Sequence, residues 1–269
     1  MTETAGVGDS TGDPRSWTRS QLLAQLYDWE HDFFSADIEL YTSLAQRTGG
    51  PVLEPACGTG RVLDPLARRG LQVVGFDSSP DMLARARERL GDLASRVRLG
   101  QAALGDPLPL GSFHLVLLAL DAFGFVYETA GQIDFLERIR DSMAAQGLLV
   151  LDLVHASLLS DQPQGIPVLQ RSAFDEEIGA RVSKWVVRRM APSTQQIVLD
   201  CFYDLVWSDG SFSRLEESVR LRYFSRYEIE LLLSTAGLQV ESIHGDYGLD
   251  AFQDESPRLI VLAGKGNVG

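Results

Sequence analysis

The segment VLEPACGTGRVL, residues 52–63, combines an acidic side chain with small residues at the end of an apolar run. Glu54 stands shortly before Gly58 and Gly60, where a buried strand is expected to lead into a helix. The turn after the first strand of a parallel sheet is a common ligand site, and small residues there let a ligand approach the backbone. The segment therefore predicts a turn that binds a polar or anionic cofactor.

A dinucleotide is one candidate for this turn, but the residues disfavour it. A dinucleotide-binding turn carries a third glycine three residues after the second. That position holds Leu63, and Glu54 would lie near the diphosphate. Because a carboxylate repels an anion, a nicotinamide-dependent reductase is the weaker interpretation.

A ligand with a cationic end suits the same carboxylate better. S-adenosylmethionine carries an ammonium and a sulfonium group but no phosphate, and an acidic neighbour attracts both cations. Ala56, Gly58 and Gly60 leave room for its methionine moiety beside the backbone. The turn therefore favours S-adenosylmethionine as the cofactor.

A second acid supports this interpretation independently. Asp77 ends the next apolar run, LQVVGFD. In related folds an acid at this distance beyond the glycines accepts the ribose hydroxyls. Met82, one turn into the following helix, is expected to lie against the adenine. The structural alternative for Asp77 is an acid that favours the N-terminus of a helix.

The elements that must position these residues follow from the alternation of apolar and helical patterns. Five apolar runs are separated by helical patterns: PVLEPA, LQVVGFD, RVRLGQA, FHLVLLAL and GLLVLDLV. Continuous apolar strands between helices predict a parallel sheet that is covered on both faces. LQVESIH and PRLIVLAGKG extend this sheet near the C-terminus. The fold class is therefore α/β, with a doubly wound, mostly parallel, seven-stranded Rossmann-like sheet.

The pattern changes after His155, where three strands follow one another without helices between them: GARVSKWVVRRM, QQIVLDCFYDLVW and RLEESVRLRYF. Asp209–Gly210 is a strong hairpin signal. These strands predict a small antiparallel β cap inserted into the α/β core. The predicted division is a flexible tail at 1–15, N-terminal cap helices at 16–50, the cofactor-binding core at 51–156, the antiparallel insertion at 157–224, and completion of the core at 225–269.

The segment VLEPACGTGRVLDPLARRGLQVVGFDSSPDML resembles the glycine-rich and acidic motifs of class I S-adenosylmethionine-dependent methyltransferases. DAFGFV and the inserted strands are similar to the small-molecule members, among them the bacterial sugar N,N-dimethyltransferases. This resemblance implies ten cofactor-binding residues: Tyr27, Glu54, Ala56, Gly58, Gly60, Asp77, Ser78, Met82, Gln101 and Ala102.

Three positions depart from the family pattern. Gln101 stands where the family usually has an acid that accepts from the adenine amino group, and an amide oxygen also accepts. Ala56 replaces a glycine, which is tolerable with a negative φ. His114 replaces an aspartate at the start of the fourth strand, and no catalytic role is predicted for it.

Methyl transfer mainly requires that the two reactants be positioned, and a base is needed only for a protonated nucleophile. His155 and Asp121, at the ends of the fifth and fourth strands, are the catalytic candidates. Their structural alternatives are a polar residue at a strand exit and a turn cap. Simple aromatic packing is the alternative for Tyr27. Cys57 is interpreted as a small filler, and His31 is expected on the surface.

Charge and composition limit the partners. The chain has 37 acidic and 24 basic residues and a net charge of −13, which disfavours a nucleic-acid partner. It has no apolar run long enough for a membrane span and no secretory pattern at its start, and its two cysteines form no disulfide framework. We therefore expect a cytoplasmic monomer or homodimer without a bound metal.

The predicted function is methyl transfer to N, O or C of a small molecule in specialised metabolism. The alternatives are a methyltransferase that acts on protein or RNA, and a protein that binds S-adenosylmethionine without catalysis. An open cleft, with a basic rim for RNA, would favour the first alternative. A blocked substrate cavity beside an intact cofactor turn would favour the second.

Overall fold

The computed structural model describes residues 13–266 except 110, 157, 158 and 160–162. Residues 1–12 of the predicted tail lie outside the described residues. Pro14–Ser16 forms a 3-10 turn that is capped by Asp13, so the end of the predicted tail is ordered. The N-terminal helices are α1 (Arg19–His31) and α2 (Ala36–Thr48).

The core that follows alternates strands and helices. Its elements are β1 (Val52–Pro55), α3 (Leu63–Arg68), β2 (Val73–Asp77), α4 (Pro80–Arg89), β3 (Val97–Gln101), β4 (Phe113–Leu118), α5 (Thr129–Ser142) and β5 (Met143–Val154). After the cap, the chain returns through α6 (Arg226–Thr235), β10 (Leu238–His244) and β11 (Arg258–Lys265). Ser79 caps α4 by accepting from the Met82 N–H.

The described residues of the core form a seven-stranded sheet in the order β10-β11-β5-β4-β1-β2-β3. β1 pairs in parallel with both β2 and β4, whereas β11 is antiparallel to β5 and to β10. This confirms the predicted fold class. Because strand order reverses at β1, the crevice beyond the carboxyl ends of β1 and its neighbours is the expected ligand position.

Apolar side chains cover both faces of the core sheet, as continuous apolar strands require. Phe123, Phe135 and Leu233 belong to the cluster on one side, and Tyr41 and Leu66 to the cluster on the other. All five are fully or almost fully buried. The helices are thereby fixed against the sheet, and the turns at the strand ends have a rigid support.

The antiparallel cap contains one strand more than the sequence predicts. Its strands are β6 (Pro167–Asp175), β7 (Ala180–Ala191), β8 (Gln196–Trp207) and β9 (Phe212–Arg222), paired in that order. β6 is an edge strand whose side chains are mostly exposed, so its apolar pattern is weak. Leu26 and Trp29 of α1 pack against Val182 and Leu205 on the inner face of this cap.

No helix in the described ranges is long and apolar enough to cross a bilayer. Within the same residues, no group of three or more His, Cys, Asp or Glu side chains is arranged to hold a metal ion. A surface groove of about 790 Å³ runs along α6 and β10, and the predicted site residues do not line it.

Candidate active site

The turn after β1 adopts three left-handed backbone conformations. Ala56, Gly58 and Gly60 have φ values of 57°, 54° and 75°. A Cβ on Gly60 would lie 2.9 Å from Leu90 Cδ1, so a larger residue would displace the Leu90 side chain in addition to straining the backbone at this φ. The negative φ that would make alanine tolerable at position 56 is not found. A non-glycine residue is held in a strained conformation at the candidate cofactor turn.

Glu54 lies on β1 directly before this turn, and its side chain is only 3% exposed. Among the described residues, its Oε2 atom has no hydrogen-bond partner. Burial raises the pKa of the Glu54 carboxyl well above its ordinary value, and the nearby Arg61 guanidinium offsets only part of this shift. A buried acid with an unsatisfied oxygen fits a cationic ligand group, which would supply the missing partner.

A buried ion pair supports the turn from the opposite side. Arg61 forms a salt bridge with Asp37 of α2 and donates to the Phe34 carbonyl at 3.1 Å. Both charged side chains are buried. Because α3 begins only at Leu63, Arg61 belongs to the turn and not to the predicted helix. Neither residue type nor spacing distinguishes this pair from surface charges, so the sequence carries no signal for it.

The Asp77 side chain at the end of β2 forms hydrogen bonds to the turn after β1 and to the residue before α4. One carboxylate oxygen accepts from the Gly58 N–H at 2.9 Å, and the other accepts from the Ser79 N–H at 2.9 Å. Each oxygen keeps a further lone pair, because a carboxylate offers about four acceptor positions. The predicted ribose acid is therefore fixed beside the turn after β1. Ser78 next to it is exposed, and Met82 is half-buried on α4.

Gln101 and Ala102 lie at the end of β3, beside the end of β2. Gln101 is the strand partner of Asp77. The Gln101 side-chain amide donates to the Ser78 carbonyl at 3.2 Å, which leaves its own oxygen as an acceptor. The Ala102 N–H donates to the Asp77 carbonyl at 3.1 Å. The structure thus brings the predicted adenosine residues together along one edge of the sheet.

Tyr27 covers the turn from α1. Its ring and hydroxyl lie 3.7–3.9 Å from the position that a Cβ on Gly58 would occupy. The His31 ring stacks on the Tyr27 ring with 4.3 Å between centroids. His31 is half-buried, so the expectation that it lies on the surface is wrong. The spacing of four residues puts both rings on one side of α1 and is the sequence signal for this contact.

Asp121 follows β4 in a left-handed pair with Leu120, with φ values of 65° and 45°. Its two oxygens accept from the Val154 N–H and from Arg258. Burial raises the pKa of Asp121, and Arg258 counteracts this shift. Asp121 is therefore held in place at the end of β4 by an ion pair.

The fully buried Asp152 of β5 is the centre of the network around this turn. Tyr41 and Tyr247 donate to its Oδ2 at 2.7 and 3.0 Å, and the Leu120 N–H donates at 3.1 Å. Arg258 Nε donates to its Oδ1 at 2.7 Å. One carboxylate thus ties α2, β11 and the turn after β4 together. In the sequence, Asp152 is not distinguished from other polar residues within an apolar strand.

The other candidates have structural contacts. His155 lies at the end of β5 with Nδ1 2.9 Å from the Ser256 carbonyl and its ring against the edge of Phe252. His114 contacts the Thr48 carbonyl at the other end of β4, away from the turn. Burial raises the pKa of the Cys57 thiol, so this thiol stays protonated and is not activated as a nucleophile.

Comparisons with known proteins agree with this geometry. Residues 52–147 match a family model described as a methyltransferase domain. The protein YqeM of Bacillus subtilis (strain 168), named as a methyltransferase, is 26% identical over 219 residues, which are 80% of this chain and 84% of YqeM. The dTDP-3-amino-3,6-dideoxy-alpha-D-glucopyranose N,N-dimethyltransferase of Streptomyces fradiae is 27% identical over 237 residues, which are 83% of this chain and 86% of that enzyme.

A solved structure shares the whole architecture. The sugar N-methyltransferase KedS8 from Streptoalloteichus sp ATCC 53650 matches with a TM-score of 0.71 at 18% sequence identity. The match covers 99% of this chain and 98% of KedS8. At this identity the likeness concerns the fold, including the cap.

Proposed function

Because the chain is a class I S-adenosylmethionine-dependent methyltransferase, we propose that it methylates N, O or C of a small molecule in specialised metabolism. The observation that carries this proposal is the cover over the cofactor turn. Tyr27 of α1 lies directly on Gly58, and the antiparallel cap packs on α1 from above. A covered cleft suits a small acceptor better than a folded macromolecule.

The cap is anchored to the core on two sides. Arg85 of α4 bonds Glu177 in the β6–β7 turn at 2.8 Å. Tyr127, after the fourth strand, donates to the Arg220 carbonyl of β9 at 2.9 Å. A Cβ on Gly124 would lie 2.8 Å from the Arg222 carbonyl, so glycine allows β9 to approach closely there. These contacts support a role for the inserted strands in shaping the acceptor cleft.

S-adenosylmethionine supplies the transferable methyl group on its sulfonium when it is bound. In our proposal Glu54 holds the cationic methionine end, with Ala56, Gly58, Gly60 and Tyr27 around it. Asp77 binds the ribose, and the adenosine lies among four residues: Ser78, Met82, Gln101 and Ala102. Asp121 and His155 border the acceptor side at the ends of β4 and β5. Because Asp121 is already paired with Arg258, we assign it to positioning the acceptor.

The relatives support a small amino sugar as one acceptor class to test, since two of them are named for such substrates. The net charge of −13 weighs against RNA. The two cysteines are buried and unpaired, which supports our proposal of a reducing, cytoplasmic location.

The direct test is transfer of labelled methyl groups from S-adenosylmethionine. The protein is incubated with nucleotide-linked amino sugars, with fractionated small metabolites, with total RNA and with total protein. We expect label only in a small-molecule fraction, and much less of it at low cofactor concentration when Asp77 is replaced by alanine. Label in RNA or protein alone would contradict the proposed substrate class.

A further inference from the structure

A histidine lies between the cofactor turn and the cap. His31 is in the last turn of α1 and stacks on Tyr27, which itself lies on Gly58. Arg61 in the turn and Lys184 of β7 both lie close enough to act on His31 electrostatically. One of these neighbours belongs to the core and the other to the cap, so His31 lies where the cofactor turn meets the cap.

The hydrogen bonding of His31 fixes which ring nitrogen carries the proton. Nδ1 lies 2.9 Å from the Tyr27 carbonyl, and a carbonyl can only accept, so Nδ1 donates. The neutral ring then carries its lone pair on Nε2. Burial lowers the pKa of His31, with Arg61 and Lys184 lowering it further and Glu30 opposing them. The ring is therefore neutral near pH 7 and able to accept a proton at Nε2.

The two other candidate bases are less suited to this step. Both oxygens of Asp121 already accept hydrogen bonds, from the Val154 N–H and from Arg258. A proton on Asp121 would weaken its ion pair with Arg258. His155 packs against Phe252 and bonds the Ser256 carbonyl, so it is fixed on the side of β5 and β11.

We propose that His31 is a catalytic residue whose Nε2 accepts a proton from the methyl acceptor, and that this acceptor is an amine or a hydroxyl. The inference rests on the proposed function. Nε2 takes the O–H proton of a hydroxyl or one N–H proton of a protonated amine, and the lone pair that this frees forms the bond to the methyl carbon. The carbon–sulfur bond breaks with its electron pair going to sulfur, and the imidazolium releases its proton to water.

The test uses sinefungin, in which an amine-bearing carbon replaces the methylated sulfur of the cofactor. Its ammonium lies where the acceptor meets the methyl group and can donate to Nε2. Calorimetry on the full chain gives the dissociation constants of sinefungin and S-adenosylhomocysteine for the wild type and for His31→Phe, which keeps a ring on Tyr27. We expect the preference for sinefungin to fall at least about tenfold, as for a lost hydrogen bond to a charged group.

Two further variants separate a direct contact from a structural role. His31→Gln keeps an acceptor oxygen and should restore part of the preference. His114→Phe, at the opposite end of β4, should leave both dissociation constants unchanged. Equal losses for both ligands in His31→Phe, or no loss for either, would overturn the proposal.

Histidine NMR gives a second readout. The His31 ring should show the proton on Nδ1, and its pKa should fall further with sinefungin than with S-adenosylhomocysteine. The same shift with both ligands would also overturn the proposal. Absence of S-adenosylhomocysteine binding to the wild type would instead contradict the cofactor site itself, and with it the proposed function.

Discussion

At the scale of single residues, the buried carboxyl of Glu54 lowers the stability of the folded chain but favours the binding of a cationic ligand. In the unfolded chain this carboxyl ionises near pH 4.3, about the ordinary value for glutamate. In the folded chain burial raises its pKa, so the folded state holds the proton to higher pH. Stability therefore falls as the pH rises above the unfolded-state pKa. A bound cation reverses the effect by favouring the carboxylate.

Glu54→Gln should separate these two effects. Without ligand, the variant should have a higher melting temperature than the wild type near pH 7, with an advantage that grows from pH 4 upwards. It should bind S-adenosylhomocysteine at least about tenfold more weakly, because a charge-assisted contact to the ligand ammonium is lost. Thermal scans from pH 4 to 8 and calorimetry test both statements. A variant that is less stable at every pH would contradict the burial argument.

In our proposal Asp77 binds the ribose of the cofactor, and it also fixes the turn after β1 through the Gly58 N–H. Asp77→Ala should weaken cofactor binding by about 1.5–3 kcal/mol for each charge-assisted hydrogen bond that is lost. Asp77→Asn keeps one acceptor oxygen and should lie between the alanine variant and the wild type. Calorimetry with S-adenosylhomocysteine measures the change, with the exposed Asp92→Ala as the control. Unchanged affinity in Asp77→Ala would remove this residue from the site.

At the scale of elements, the Asp152 network holds the left-handed turn after β4. Tyr41→Phe and Tyr247→Phe each remove one bond to the same carboxylate oxygen, at about 1.5–3 kcal/mol apiece. Each single variant keeps two donors to that oxygen, whereas the double variant keeps only the Leu120 N–H at 3.1 Å, so it should lose more than the sum of the single losses. Urea unfolding measures this coupling, and strictly additive losses would show that the two bonds are independent.

The contact between helices α1 and α4 keeps Tyr27 of α1 over the cofactor turn. Arg85 Nε donates to Asp28 Oδ2 at 2.7 Å, and Arg89 lies 2.8 Å from Oδ1. Asp28→Asn should weaken S-adenosylhomocysteine binding several-fold and increase tryptic cleavage within α1. Asp32→Asn is the matched control, since Asp32 pairs with Arg89 at the surface. Equal behaviour of the two variants would contradict the docking role.

Periodicity and turn chemistry predicted most elements of the core because its strands are buried on both faces. β6 was missed since an exposed edge strand carries little apolar pattern. Asp77 and Glu54 can be proposed from the sequence because their expected chemistry follows from their place at strand ends. His31 and the Arg61–Asp37 pair were not, because their environments depend on α1 and α2 folding back over the turn. The spacing of Tyr27 and His31 indicates only their mutual contact, whereas contacts between distant elements leave no local signature in the sequence.

At the scale of the whole molecule, the net charge bears on whether the proposed acceptor is a small molecule or RNA. A chain with a net charge of −13 repels a polyanion, and in the site the Arg61 guanidinium is paired with a carboxylate. Binding to RNA depends on the release of counterions by unpaired cations, and it is strongest at low salt. Low ionic strength is therefore the most demanding condition for testing whether RNA is a partner.

We expect no retention of total bacterial RNA in filter binding at about 50 mM salt, where nonspecific binding would be strongest. The same protein sample should bind S-adenosylhomocysteine, which shows that it is folded. A basic RNA-binding protein serves as the positive control. A binding constant whose logarithm falls linearly with the logarithm of the salt concentration would contradict this expectation. It would reveal a basic surface that the paired arginines do not provide, and the proposed acceptor would then be RNA and not a small molecule.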